Sequence, residues 1–280
     1  MSRLILLSRN AFRGILAARS MYLWVVAILL ITVRLLPTLL APSLLPENVG
    51  RGGRGPSREM ILERLKEQRP ATLAGGLNEW SVLCIAFGIL VGAGALSREV
   101  NARTIITVLS RPIARWELLF GKWAAVKVFA ALSLLLGLMF HLAVASYLDV
   151  SFTRFVALGL AQTLVATLLY TGIALALSTV FSAALSGALA VLFAFLPGVV
   201  GVMKDYPDTA SYYNIVHPLG AVLDYLVPPG YSNLYGLAVE VSPTIDYSAQ
   251  LQPLLINIVY SLIFFGIGCV LFTRREIKLG

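Results

Sequence analysis

Long apolar runs, separated by short polar and basic stretches, set the pattern of this 280-residue chain. A helix needs about 20 mostly apolar residues to cross the hydrocarbon core of a bilayer. Six stretches meet that need: Ser20–Leu40, Glu79–Leu96, Val126–Ala145, Phe155–Val180, Leu185–Met203 and Leu254–Thr273. The third has no charge between Lys127 and Asp149, and only Phe181–Ala184 separates the fourth from the fifth, which predicts a tight helical hairpin. Ahead of the first span, Leu4–Ala18 has an amphipathic pattern. Arg3, Arg9, Arg13 and Arg19 suit lipid headgroups, whereas Leu4, Leu7, Phe12, Ile15 and Leu16 suit the acyl boundary. A basic start before an apolar run resembles a signal peptide, but this basic region is long and further spans follow it. The pattern predicts an all-α, polytopic membrane protein. It has six transmembrane helices, an N-terminal interfacial helix over residues 1–19, and one transmembrane domain over 1–280.

Composition points the same way. Hydrophobic residues make up 58% and charged residues 13% of the chain, with a mean hydropathy of +0.84. Soluble domains carry about twice that share of charge. A disordered chain and a nucleic-acid-binding domain are excluded on these numbers, although the net charge is +8. In a membrane protein that excess reads as sidedness. If both termini share the cytoplasmic side, the segments there hold 13 Lys and Arg against three acids, and the opposite side holds eight against eleven. The bias predicts cytoplasmic termini in a cell membrane. Arg34 lies two thirds of the way along the first span. It either snorkels to the nearer interface or lines a pathway.

Two large segments fall outside. In the first, 41–78, the Gly- and Pro-rich stretch Pro42–Pro56 should lack regular structure. Ser57–Gln68 predicts a short helix, with Ser57 as N-cap and Pro70 beyond its end, forming a solvated cap or, less simply, a ligand site. The second, 204–252, holds seven of the 11 tyrosines, a residue suited to the membrane–water boundary. Within it Pro218–Val227 predicts an interfacial or re-entrant helix stopped by Pro228-Pro229-Gly230. His217, Asp224 and Asp246 lack metal-ligand spacing, and a lid or external gate suits the segment better.

The cytoplasmic loop Ser97–Gly121 is the most informative stretch. Glu99 and Arg103 stand four apart, the favourable order for a helical ion pair. Arg111-Pro112 breaks the helix. A second helix begins near Ile113 and runs through Gly121-Lys122 into the third span. The result is a basic, amphipathic helix–break–helix at the inner surface. A solvated linker would not need Ile105, Ile106, Val108, Leu109 and Trp116, so a docking element is the better reading.

Chemistry within the chain is sparse. No phosphate-cradling G-x-x-x-x-G-K-[ST] is present, Gly92-Ala93-Gly94 does not make a dinucleotide fingerprint, and no HExxH occurs. Ser186-Gly187 lacks the context of an intramembrane serine protease, and Gly88-x-x-x-Gly92 reads as a site of close helix approach. Cys84 and Cys269 sit in apolar runs and form no CxxC pair. No metal site, cofactor or catalytic residue is expected. On pore-facing helix sides the polar candidates are few, chiefly Gln162, Thr163 and Thr167, which suits an amphipathic or lipid-like cargo, or none.

The stretch REVNARTIITVLSRPIARWELLFGK resembles the signature region of ABC-2-type transporter permeases. Those proteins carry an acid after the second span, then Thr, Leu, Pro, Arg and Gly-Lys. Here these stand as Glu99, Thr104, Leu109, Pro112, Arg115, Gly121 and Lys122. The basic amphipathic start, six spans, large first and last external segments and basic C-terminus agree in coarser form. By length and this loop, the chain looks most like the permeases associated with copper-enzyme maturation and gliding motility. The resemblance implies a second permease copy, identical or related, and separate ATP-binding subunits that carry the ATP and Mg. Glu99–Gly121 would be the coupling helix, and export the usual direction. The competing expectations are a mechanotransmission or assembly subunit with the same ATPase and no cargo, and a channel or membrane enzyme acting alone.

Overall fold

The computed structural model describes residues 2–17, 20–44, 57–101, 114–151, 155–205, 207, 212–230 and 247–274. Among them the regular elements are eight helices. They are α1 (Ser2–Ala17), α2 (Ser20–Leu44), α3 (Arg58–Asn101), α4 (Arg115–Tyr147), α5 (Phe155–Ser178), α6 (Ala183–Lys204), α7 (Tyr213–Leu226) and α8 (Tyr247–Arg274). Five of these, α3, α4, α5, α6 and α8, are long and apolar enough to cross a membrane. The first predicted span lies within α2, whose stretch Trp24–Leu36 is apolar. Helices satisfy every interior backbone group within themselves, which is why an apolar chain in lipid adopts them.

The bundle is built around α5, which packs against α3, α4, α6 and α8. Its apolar faces meet Ile89 and Ala93 of α3 and Ala190 of α6. Lipid tails are as apolar as leucine, so close packing rather than water exclusion holds such helices together. Gly88 and Gly92 allow it, as the sequence predicts. A Cβ on Gly88 would lie 2.7 Å from Thr171 Oγ1, and one on Gly92 would lie 3.0 Å from the Thr171 carbonyl oxygen. The hairpin between α5 and α6 is also as predicted. Ser182 caps α6 by accepting from the Leu185 N–H at 3.5 Å.

Three expectations need correction. Pro70 does not end the first external helix. It lies inside α3, one 44-residue helix that joins the predicted cap to the second span. An interior proline removes one backbone hydrogen bond. The chain is anchored on both sides of it, by Arg69 donating to the Leu148 carbonyl at 3.2 Å and by fully buried Leu73 and Leu77. Next, Leu7, Phe12 and Ile15 of α1 face the bundle rather than the acyl boundary. Ile15 is buried, the Phe12 ring lies 6.3 Å from that of Phe129, and Leu7 packs against the buried cluster that holds Leu118 and Leu119. Arg9 and Arg13 stay exposed, as do Ile5 and Leu6. Finally, α7 begins at Tyr213, with Pro218 inside it. It is clasped to its neighbours by Lys204–Asp224 at 2.6 Å and by Tyr260 donating to the Tyr225 carbonyl at 3.4 Å. Asp224 is therefore an ion-pair residue, and Asp246 lies outside the described residues.

Candidate functional site

The predicted docking segment spans a border of the description. Glu99 falls in the last turn of α3, but its side chain is outside the described part. Arg103, Thr104, Leu109 and Pro112 also lie outside it. Arg115, Gly121 and Lys122 are within α4, and the structure brings all three into one junction.

The first turn of α4 is set locally. The Glu117 carboxylate accepts from the Ala114 N–H at 3.0 Å, and the Glu117 N–H donates to the Ala114 carbonyl at 3.0 Å. An acid here also suits the positive end of the helix dipole. One residue on from Ala114, Arg115 Nη1 donates to the carbonyls of Phe272 and Thr273 at 3.0 and 3.1 Å. These belong to the last turn of α8, whose carbonyls have no partners within the helix. The guanidinium also sits 5.8 Å over the Phe272 ring. Lys122 is buried, and its Nζ donates to the Ala95 carbonyl of α3. Gly121 is where α1 crosses α4: a Cβ there would lie 2.9 Å from Leu7 Cβ and 3.4 Å from the Ser8 nitrogen. Between these polar ties, Leu96, Leu118, Leu119, Leu175 and Phe272 form one buried cluster. The start of α4 is thus braced against α1, α3 and α8.

The residues proposed for a pathway have different fates. Gln162, Thr163 and Thr167 are all buried in α5. Thr163 donates to the Gly159 carbonyl at 2.9 Å and Thr167 to the Thr163 carbonyl at 2.8 Å. Hydroxyls bonded one turn back can sit in an apolar interior at little cost. They face packed helices within this chain. Arg34 is exposed and forms an ion pair with Glu79 of α3.

One cation escapes the sequence reading. By sequence, Lys127 sits at the edge of the third span, a position for a cytoplasmic charge. In the fold its Nζ donates to the Thr167 carbonyl at 2.7 Å, midway along α5, and lies 5.4 Å over the Trp123 ring. The Trp-x-x-x-Lys spacing was the available signal, since residues four apart share a helix face.

A bundle of long apolar helices with a braced junction at one end defines a polytopic helical membrane protein. Residues 17–277 match the ABC-2 family of transporter proteins, and the chain belongs to that family. It is a membrane permease component of an ABC transporter, a membrane transport subunit. No curated protein matches the chain.

Proposed function

We propose that this permease is driven by a separate ATP-binding subunit seated on Glu99–Gly121, and that it moves cargo outward across the cytoplasmic membrane as one of two paired permease chains. Both termini face the cytoplasm in this reading, and ATP and Mg are bound by the partner. The observation that carries it is the junction at the start of α4. Arg115, Gly121 and Lys122 tie the return of the predicted coupling segment to α8, α1 and α3. A segment rooted in four helices transmits displacement, whereas a loosely attached one would absorb it. Glu99, Arg103, Thr104, Leu109 and Pro112 complete the docking element, with Glu99 ordering it through Arg103 or a neighbouring basic residue.

The test is to purify the permease with its ATPase and measure complex yield and hydrolysis together. Glu99→Gln should keep the complex but uncouple hydrolysis from permease movement. Arg115→Ala should lower both complex yield and permease stability. If Glu99→Gln retains full yield, hydrolysis and cellular function, the segment is a passive linker. Sidedness is tested by single cysteines at Gly52 and Ser110 in a background lacking Cys84 and Cys269. An impermeant maleimide on intact cells should label the first and spare the second.

Burial of Gln162, Thr163 and Thr167 among packed helices favours a second reading, mechanotransmission with the same ATPase and no transported cargo. Transport assays in liposomes separate the two. If cargo crosses, the pathway is formed between chains and not through one.

A further inference from the structure

An apolar crevice of about 200 Å³ lies between α2 and α4. Ile28, Ile31 and Thr32 form one wall, Leu136 and Phe140 the other, and Trp80 of α3 lies at its base over Gly137. That base is fixed, because Trp80 Nε1 donates to the Ser133 carbonyl at 2.9 Å. Leu136, Phe140 and Ile28 are exposed, so the crevice opens sideways, toward lipid. Small-molecule sites enclose about 300–1,000 Å³. This volume is too small for a compact ligand and suits a slender chain segment.

The Arg34–Glu79 pair stands close by, one turn along α2 from Ile31 and adjacent to Trp80 on α3. Its side chains are 54% and 36% exposed. A guanidinium has five N–H donors and a carboxylate about four acceptor sites, so among the described residues their one mutual contact leaves most of both unfilled. On a lipid-facing surface, unfilled polar capacity is costly. The spare donors call for an anion and the spare acceptors for a cation with N–H groups. A phosphatidylethanolamine headgroup offers both on one molecule, joined to a chain that fits the crevice.

We propose that Arg34, Glu79 and the crevice form a phospholipid site selective for a zwitterionic, amine-bearing headgroup. Arg34 holds the phosphate, Glu79 accepts from the ammonium, and one acyl chain lies between α2 and α4 over Trp80. In the orientation proposed above the lipid belongs to the outer leaflet, but the site itself does not depend on that orientation.

The test is native mass spectrometry of the full-length protein in detergent, titrated separately with palmitoyl-oleoyl phosphatidylethanolamine, phosphatidylglycerol and diacylglycerol of the same chains. The wild type should prefer phosphatidylethanolamine over phosphatidylglycerol by roughly tenfold, the value of one charge-assisted hydrogen bond, and over diacylglycerol, which lacks the phosphate as well, by more. Glu79→Gln should erase the preference over phosphatidylglycerol, and Arg34→Gln should weaken both phospholipids. Filling the crevice with Thr32→Phe, or with Leu136→Trp if the first folds poorly, should lower retention of all three lipids. Equal retention of the three lipids by the wild type would mean that water alone serves the ion pair, and would overturn the proposal. So would unchanged retention in a folded crevice-filling variant.

Discussion

Helices α5 and α6 follow one another through a tight turn, with 24 and 22 residues, and their surroundings are opposite. Within the chain, 72% of the apolar stretch of α5 is buried, against 17% for α6. The buried helix is the more polar one. Gln162, Thr163, Thr167, Thr171 and Ser178 are all buried on α5, whereas α6 turns Leu192, Phe195, Val199 and Val202 outward. A soluble protein would reverse this assignment. In lipid the outside is as apolar as any core, so polar groups gather where other helices and their own backbone can satisfy them. For a membrane helix, moderate polarity is thus the mark of the interior, and uniform apolarity the mark of the periphery.

The sharpest way to break this contrast is to fill space on each side of it. Gly88→Leu drives a side chain into Thr171 and Thr167 of α5, where a Cβ would already approach within 2.9 Å of both. It should cost about 3 kcal/mol or more and abolish recovery of folded protein, read by size-exclusion profile and thermal unfolding. On α6, a Cβ at Gly198 meets nothing within 4 Å. Gly198→Leu should leave monomer stability unchanged. A loss confined to dimeric material would show that a second copy covers α6.

Smaller effects follow. Arg115→Ala removes two bonds to the end of α8 and should lower stability by about 1.5 kcal/mol, the low end for charge-assisted bonds because the guanidinium is half-buried. Arg115→Lys should recover part of it, and no change in midpoint for either variant would mean the brace is idle. Thr167→Val deletes one hydroxyl bond within α5, worth about 0.6 kcal/mol in membrane interiors. A loss several times larger would assign Thr167 a role beyond its own helix. Leu192→Ala on the outer face of α6 should change stability by less than about 0.5 kcal/mol. A larger loss there would break the comparison, because it would place a packed neighbour on that face.

Much of the fold was legible residue by residue. The hairpin at Phe181–Ala184, the close approach at Gly88 and Gly92, and the helix running from near Arg115 into the third span all stand as the pattern predicts. Pro70 was misread because a local rule about helix termination was applied where Arg69, Leu73 and Leu77 hold the helix on both sides of the proline. The apolar face of α1 was legible as a face, but not whether lipid or α4 would cover it. Of the predicted coupling residues, only Arg115, Gly121 and Lys122 received a described geometry. There the structure supplied partners that spacing could not name.

Apolar length, helical period and charge distribution are properties of neighbours along one chain, so the sequence by itself determined the helical class, most of the apolar helices and the resemblance to the family. Which face meets protein and which meets lipid depends on residues far apart in sequence. Lys127 meets the Thr167 carbonyl, Arg34 meets Glu79, and Arg115 meets the end of α8. Because lipid and protein interiors are nearly equal in apolarity, the hydrophobic pattern that orients helices in water carries little information about these pairings. Shape decided them, through glycines that admit a neighbour and polar groups that must find one, and shape exists only once the helices are packed.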